Sequence, residues 1–220
     1  MPEHTPLKLD PSKSAAYRLV ASLVSGLSRV LFRPEVTGRE NIPLTGPVLI
    51  APIHRSNVDF AFTLFISPRK VFFMAKDGLF KVKWFGSFLR HLGAFPIHRS
   101  AQTDRESMKL AEEVLRQGQA LVLFPEGTRK EGLRVETIND GAMFIAARTG
   151  ATVVPVGIGG SDRAMPLGAK IPRPAKIRIV IGRPISPPVS DGRVSRSQIT
   201  AKSEELRQAL EAVYLESLKG

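Results

Sequence analysis

Short apolar segments alternate with longer helical segments along most of this chain, and this alternation limits the folds that it can adopt. The segments with strand character are Val48–Ile53, Lys70–Ala75, Phe95–His98, Ala120–Phe124, Thr152–Ile158 and Lys176–Ile181. The segments with helical periodicity between them are Asn57–Ile66, Gly78–His91, Thr103–Gln117 and Asn139–Thr149. Helices that connect successive strands allow those strands to lie side by side and parallel. The pattern therefore predicts a layered α/β domain with several parallel strands.

One amphipathic helix is expected before this domain in the sequence, and another after it. In Ser14–Arg33 the apolar residues follow the helical repeat, and the polar stripe is narrow with basic flanks, which favours a helix lying on a membrane. The alternative is a helix docked on the core. A second helix is predicted at Gln198–Leu218, after a proline-rich linker. We therefore divide the chain into residues 1–34, a membrane-associating helix, residues 35–189, the α/β domain, and residues 190–220, a linker and helix.

The charge of the chain indicates an anionic partner. Its 32 Lys and Arg against 20 Asp and Glu give a formal charge of +12. Nucleic acid, a membrane surface or a phosphorylated substrate would each fit such a charge. No apolar run reaches the roughly 20 residues of a bilayer-spanning helix, and no signal peptide is expected. The chain contains no cysteine, which excludes disulfides, a thiolate nucleophile and cysteine-ligated metals.

His54 and Asp59 form the first candidate site. His54 follows a predicted strand, and Asp59 stands five residues later in a predicted helix. With the histidine in the turn and the aspartate in the first helical turn, the carboxylate can reach back to the imidazole. It would keep one ring nitrogen protonated and leave the other free to take a proton. Because no G-x-S-x-G element is present, the pair favours activation of a substrate hydroxyl. The alternative is a polar turn with a solvated histidine.

A second candidate site is the segment Phe124–Arg129, which reads F-P-E-G-T-R directly after a predicted buried strand. Ligands of α/β folds bind at this end of the strands. Gly127 allows backbone N–H groups to approach an anion, Thr128 adds a hydroxyl and Arg129 can hold a phosphate with two hydrogen bonds. Arg99 also follows a short apolar strand and could join Arg129 around one phosphate. The alternative is a proline–glycine turn with surface charges.

Four short patterns occur in a characteristic order. They are H-x-x-x-x-D from His54, G-x-F-x-x-x-R from Gly93, F-P-E-G-T-R from Phe124 and V-P-V from Val154. Each pattern alone is weak, but the four in this order are highly specific. With the four patterns in this order, the chain resembles the glycerolipid acyltransferases, in particular the bacterial 1-acylglycerol-3-phosphate (lysophosphatidate) acyltransferases. The resemblance covers roughly residues 35 to 188.

The resemblance implies a fold, an activity and a set of site residues. The fold is α/β, with a mixed, partly parallel sheet flanked by helices and an N-terminal membrane-facing helical element. The activity is transfer of a fatty acyl group from a thioester to a glycerophosphate hydroxyl. His54 and Asp59 match the catalytic dyad. The residues that match acceptor binding are Arg99, Glu126, Gly127, Thr128 and Arg129.

Two positions depart from the pattern of the family. Ile53 stands where asparagine often precedes the histidine. Asn139-Asp140-Gly141 stands where many members have Lys-x-Gly. The missing lysine leaves two acceptors open: lysophosphatidate, and glycerol 3-phosphate or another lysolipid.

Together these expectations describe a peripheral membrane enzyme on the cytoplasmic face of the cell membrane, bound to an anionic surface. The donor would be acyl-CoA or acyl-carrier protein, and transfer would be direct, because the chain has no cysteine. We expect no cofactor and no metal, because the four histidines show no ligand spacing. Acyl-chain length, sn position and oligomeric state stay open. A nucleic-acid partner is not expected, although a basic cluster would suit one: Arg163, Lys170, Arg173, Lys176, Arg178 and Arg183.

Overall fold

The structure is a computed structural model that describes residues 15–97, 103–189 and 193–219. Within these ranges one sheet contains the strands β1 (Glu35–Thr37), β2 (Val48–Pro52), β3 (Val71–Lys76), β4 (Ala94–Ile97), β5 (Ala120–Val122), β6 (Thr152–Gly159) and β7 (Arg178–Ile181). The helices are α1 (Ala15–Phe32), α2 (Asp59–Ile66), α3 (Lys83–His91), α4 (Thr103–Arg116), α5 (Gly141–Thr149), α6 (Ser161–Ala164) and α7 (Arg196–Ser217). Two short 3-10 helices span Arg39–Asn41 and Asp77–Phe80.

The strands lie in the order β1-β7-β6-β2-β5-β3-β4. Every neighbouring pair is parallel except β6 and β7, which are antiparallel. The prediction of an α/β fold with a mixed, mostly parallel sheet is therefore confirmed. Strand β2 lies near the middle of the sheet, and all five of its residues are buried, as expected for a strand covered on both faces.

The parallel pairing of β2 with its two neighbours determines where the site forms. Ile50 lies opposite Val122 of β5, and Pro52 lies opposite Val156 of β6. One residue beyond β2, the backbone N–H of Ile53 still donates to the Val156 carbonyl at 2.9 Å. The segments that follow β2 and β5 therefore leave the same edge of the sheet side by side, where parallel sheets bind ligands.

The structure differs from the sequence-based elements at three places. The predicted helix Gly78–His91 is divided into a 3-10 turn and α3. The division brings Gly86 against the Phe80 backbone, where a Cβ would lie 2.9 Å from the carbonyl oxygen. Strand β1 and helix α6 were not predicted, because three and four residues carry too little periodicity to be recognised. Strand β4 begins at Ala94, one residue before the predicted strand Phe95–His98, and His98 is outside the described residues.

Helix α7 packs directly on β6. Its residues Leu206, Leu210 and Tyr214 are buried in the same core as the sheet. The contact is close because β6 has glycine where the helix crosses it: a Cβ at Gly157 would lie 2.2 Å from the carbonyl oxygen of Val213. The domain boundaries at residues 34 and 189 stay a prediction.

This close contact predicts that Gly157→Ala lowers the free energy of unfolding by about 1–3 kcal/mol, because the added methyl group forces the helix away from the strand. Gly26→Ala in α1 is a matched control, since a Cβ there meets nothing within 4 Å. It should leave stability unchanged or raise it by up to about 1 kcal/mol. Urea denaturation followed by circular dichroism measures both, and wild-type stability in Gly157→Ala would contradict the packing.

Candidate active site

The turn after β2 brings the two residues of the H-x-x-x-x-D pattern into contact. His54 Nδ1 lies 3.0 Å from Oδ2 of Asp59, the first residue of α2. The Asp59 side chain is 0% exposed and the His54 side chain 21% exposed. The aspartate is therefore inside the protein, while one edge of the imidazole remains accessible.

One carboxylate oxygen of Asp59 organises the whole turn. Besides the His54 ring, Oδ2 accepts the backbone N–H groups of Arg55 and Ser56, each at 2.7 Å. A negative charge in the first turn of a helix is also favoured by the helix dipole. The other oxygen, Oδ1, is buried and has no hydrogen-bond partner among the described residues. The bonds to Oδ2 replace the water that this charge loses on burial.

The contact also determines the tautomer of His54. An ionised carboxylate only accepts hydrogen bonds, so beside an ionised Asp59 the proton would be on Nδ1 and Nε2 would keep a free lone pair. The ring is stacked on Phe124, with the centroids 4.2 Å apart and an angle of 29° between the planes. The aspartate and the phenylalanine together hold the imidazole in one orientation. Chemically, this is a fixed proton acceptor.

The loop after β5 is attached to His54 at two points. Glu126 Oε2 accepts the backbone N–H of His54 at 2.8 Å, and the backbone N–H of Lys130 donates to the His54 carbonyl at 2.9 Å. The three residues between these attachments are Gly127, Thr128 and Arg129. Because consecutive Cα atoms are about 3.8 Å apart, this segment cannot lie far from the histidine.

Glu126 is also half of a buried ion pair. Arg55 Nη1 lies 2.7 and 2.9 Å from its two oxygens, and both side chains are 1% exposed. The Arg55 guanidinium lies 5.0 Å from the ring centre of Tyr214. Burial raises the pKa of the Tyr214 phenol, while the positive charge of Arg55 acts in the opposite direction. The turn after β2, the loop after β5 and helix α7 thus meet at one guanidinium.

Asn139 holds the start of the same loop. Its backbone N–H donates to the Pro125 carbonyl at 2.8 Å, and its side-chain Nδ2 donates to the same oxygen at 3.3 Å. Gly127 has a φ of +71°, and a Cβ there would lie 2.7 Å from Nδ2 of Asn139. At this position, where the sequence departs from the Lys-x-Gly pattern, the asparagine therefore supports the turn at Gly127.

The structure brings most of the predicted site residues to one place. His54, Asp59 and the segment from Glu126 to Arg129 lie together, with Thr128 exposed and Arg129 half-buried. Arg99 is outside the described residues. The carboxylate of Glu126 is enclosed by Arg55 and the His54 backbone, and its predicted contact with the acceptor stays a prediction. The V-P-V pattern lies within β6, where Val154 and Val156 are core residues.

Arg55 is the residue that the sequence analysis missed. It stands inside the H-x-x-x-x-D pattern, where a charged residue beside a predicted turn indicates an exposed side chain. Its 3% exposure depends on tertiary contacts, above all with Glu126, which is 71 residues away in sequence. The described residues contain no group of three side chains that could hold a metal ion.

Comparison with known proteins gives a consistent family. The sequence model of the Acyltransferase family matches residues 33–159, which include His54, Asp59 and the loop after β5. The 1-acyl-sn-glycerol-3-phosphate acyltransferase of Bacillus subtilis is 29% identical over 196 residues, which are 89% of this chain and 92% of that protein. The chloroplastic 1-acyl-sn-glycerol-3-phosphate acyltransferase LPAT1 of Arabidopsis thaliana is 30% identical over 183 residues and 81% of this chain.

The chain spans about half the length of the chloroplast relatives that it matches, 51% for the Arabidopsis protein and 53% for its Brassica napus counterpart. Among solved structures, the 1-acyl-sn-glycerophosphate (LPA) acyltransferase PlsC of Thermotoga maritima has a TM-score of 0.76 with 24% sequence identity. The match covers 94% of this chain and 82% of that chain. At this identity, the likeness shows a shared fold.

Proposed function

The chain belongs to the acyltransferase family, and on that premise we propose that it acylates 1-acylglycerol 3-phosphate. In this reaction a fatty acyl group passes from an acyl thioester to the free hydroxyl of the acceptor, giving phosphatidic acid for phospholipid biosynthesis. The observation that carries the proposal is the contact of a partly exposed His54 with a buried Asp59. The names of the bacterial and chloroplast relatives support the choice of acceptor.

In the proposed mechanism, Nε2 of His54 takes the proton of the acceptor hydroxyl while the oxygen attacks the thioester carbonyl carbon. The tetrahedral intermediate then breaks its carbon–sulfur bond, and the imidazolium returns the proton to the leaving thiolate. Asp59 keeps Nδ1 protonated and stabilises the imidazolium. General-base catalysis of this kind contributes about 10²–10⁴-fold to the rate. Direct transfer suits a chain without cysteine.

The phosphate of the acceptor would bind to the segment between the two His54 attachments. Arg129 is half-buried, and its guanidinium can hold a phosphate with two hydrogen bonds. Thr128 can add a hydroxyl, whereas the backbone N–H of Gly127 already donates to the Phe124 carbonyl at 3.1 Å. A phosphate held here lies beside His54, as a glycerophosphate hydroxyl requires. Arg99 stays a further candidate for the same phosphate.

The donor would be acyl-CoA or acyl-carrier protein, with no cofactor and no metal ion. Glycerol 3-phosphate or another lysolipid is the alternative acceptor, because Asn139 occupies the position of the family lysine. We expect no nucleic-acid partner. In the basic cluster that would suit one, Lys176 and Arg178 are already paired with Glu35.

Helix α1 is the proposed membrane contact. Four of its apolar side chains, spaced at helical intervals on one face, are 62–77% exposed: Leu19, Leu23, Leu27 and Val30. The opposite side packs inward, where the ring of Phe32 meets that of Phe62 edge-on at 5.3 Å. No helix within the described ranges has the length and apolarity needed to span a bilayer. An exposed apolar face of this kind suits a helix lying in the interface at the cytoplasmic side.

The 3-10 turn at Asp77–Phe80 and helix α3 would support this contact. Trp84 is 73% exposed, and its cationic neighbours Lys81 and Lys83 are exposed as well. Phe85 and Phe88 instead stack on each other at 6.0 Å and pack against the core. Trp84 is therefore the aromatic residue of this stretch that is best suited to contact lipid.

Purified protein should transfer a labelled acyl group from acyl-CoA to 1-acylglycerol 3-phosphate in preference to glycerol 3-phosphate and to lysolipids without a phosphomonoester. His54→Ala should lower this activity at least about 10²-fold, because the proton acceptor is lost. Asp59→Asn should also be severe, because an amide does not hold the same tautomer. Near-normal turnover in a folded His54→Ala protein would contradict the mechanism, and preference for another acceptor would change the proposed substrate.

Arg129→Lys should raise the acceptor KM about tenfold and leave the donor KM nearly unchanged, because a lysine keeps the charge but lacks the planar fork that binds two phosphate oxygens. Arg116→Lys on the exposed side of α4 is the matched control and should change neither constant. Steady-state kinetics with each substrate varied in turn provides the measurement. An increase confined to the donor KM would assign Arg129 to the donor site instead.

The double variant Leu23→Asp/Leu27→Asp should bind anionic vesicles at least about tenfold more weakly than wild type. Each substitution replaces an apolar contact with a carboxylate that the anionic lipid repels. Leu44→Asp/Val189→Asp adds the same two charges at exposed positions outside α1 and serves as the control. Sedimentation with phosphatidylglycerol vesicles measures both proteins. If the α1 variant sediments as well as the control, α1 is a structural helix and not the membrane contact.

A further inference from the structure

We propose that Arg55 and Glu126 are positioning residues that hold the main chain of His54, and that neither contacts the acceptor. This role goes beyond the dyad, because it concerns the backbone that carries the imidazole. It rests on the proposed function only in that His54 is the base. The pair connects the turn after β2 to the loop after β5 and so aligns two motifs that lie about 70 residues apart.

Both peptide groups of His54 take part in this arrangement. Its N–H donates to Glu126 Oε2 at 2.8 Å. Its carbonyl oxygen accepts from Arg55 Nη1 at 3.2 Å and from the Lys130 backbone N–H at 2.9 Å. The carboxylate is itself held by Arg55 through both oxygens. Moving either side chain would therefore release one side of the His54 backbone.

Each of the three guanidinium nitrogens of Arg55 already donates to an oxygen of the protein. Nε donates to the Gly132 carbonyl at 3.2 Å, and Nη2 donates to the Arg134 carbonyl at 3.0 Å. Nη1 serves Glu126 and His54, and the face of the group covers Tyr214. With 1% exposure of both side chains, an acceptor could reach neither without breaking the pair.

The two charges also matter to the imidazole, because they cancel each other close to it. The other charged or titratable groups on the elements around His54 are Asp59 on α2, Arg129 and Lys130 in the loop after β5, Asp162 on α6 and Tyr214 on α7. Removing only the negative partner would leave the Arg55 charge uncompensated in a buried region. That charge would disfavour the imidazolium that forms when His54 takes a proton.

Three variants separate the charge of the pair from its geometry. Glu126→Gln can still accept the His54 N–H, so its main effect is on charge. Arg55→Lys keeps the charge but cannot supply the planar fork that joins Glu126, Gly132 and Arg134. Arg55→Gln/Glu126→Gln removes both charges together. Lys176→Gln, which breaks an exposed ion pair with Glu35 of β1, is the control.

Three measurements are made on each variant. NMR titration follows the His54 ring, and the pH profile of kcat/KM gives its acidic limb. Steady-state kinetics then gives kcat and the acceptor KM separately. In Glu126→Gln the His54 pKa and the acidic limb should fall by at least about 0.5 pH unit. Both should return to the wild-type value in the double variant. In Arg55→Lys the pKa should stay unchanged while kcat falls at least about tenfold. The acceptor KM should stay within about twofold throughout, and Lys176→Gln should change nothing.

An acceptor KM that rises while kcat is kept would overturn the proposal and make Glu126 or Arg55 an acceptor ligand. An unchanged His54 pKa in Glu126→Gln would overturn the electrostatic part. If Glu126→Gln does not fold, the double variant provides the test. It should keep the wild-type His54 pKa and lose kcat. Full kcat in the double variant would refute the positioning role. The NMR titration needs no turnover, so it tests the pair even if the acyltransfer reaction itself is not found.

Discussion

The turn after β2 is held by a single carboxylate oxygen, Oδ2 of Asp59, which accepts hydrogen bonds from the His54 ring and from two backbone N–H groups. A fully buried charge is costly unless such donors replace its lost water. The turn therefore cannot relax without leaving that charge unsolvated. The same bonds that stabilise the turn determine the tautomer of the histidine, so local folding and the chemistry of the site depend on one interaction.

The sheet supplies the second condition for the site. Strand β2 lies between β5 and β6, and the three strands are parallel. The register therefore brings the F-P-E-G-T-R loop beside His54, and the Arg55–Glu126 pair joins the two segments. Because the strands are buried and parallel, a change in register would separate the base from the segment that would bind phosphate. Motifs that are far apart in the sequence come close in space only because this sheet places their strands side by side.

Much of the fold could be predicted from the sequence, because apolar periodicity and turn residues are local signals. The resemblance to the acyltransferases also agrees with the family match over residues 33–159. The burial of Glu126 could not be predicted, because it depends on Arg55, 71 residues away. The role of Asn139 at the Gly127 turn was also missed, because it depends on a contact with the Pro125 carbonyl, 14 residues away. The order of the motifs assigned residues such as Glu126 to a site. Only the tertiary contacts distinguish residues that support His54 from residues that are open to a ligand.

The central claim is that Asp59 keeps His54 protonated on Nδ1, so that Nε2 is the base. Nitrogen-15 NMR of the His54 side chain at neutral pH tests this directly. The account predicts a protonated Nδ1, an unprotonated Nε2, and loss of this single tautomer in Asp59→Asn. A proton found on Nε2 in the wild-type protein, or the same tautomer in Asp59→Asn, would contradict it.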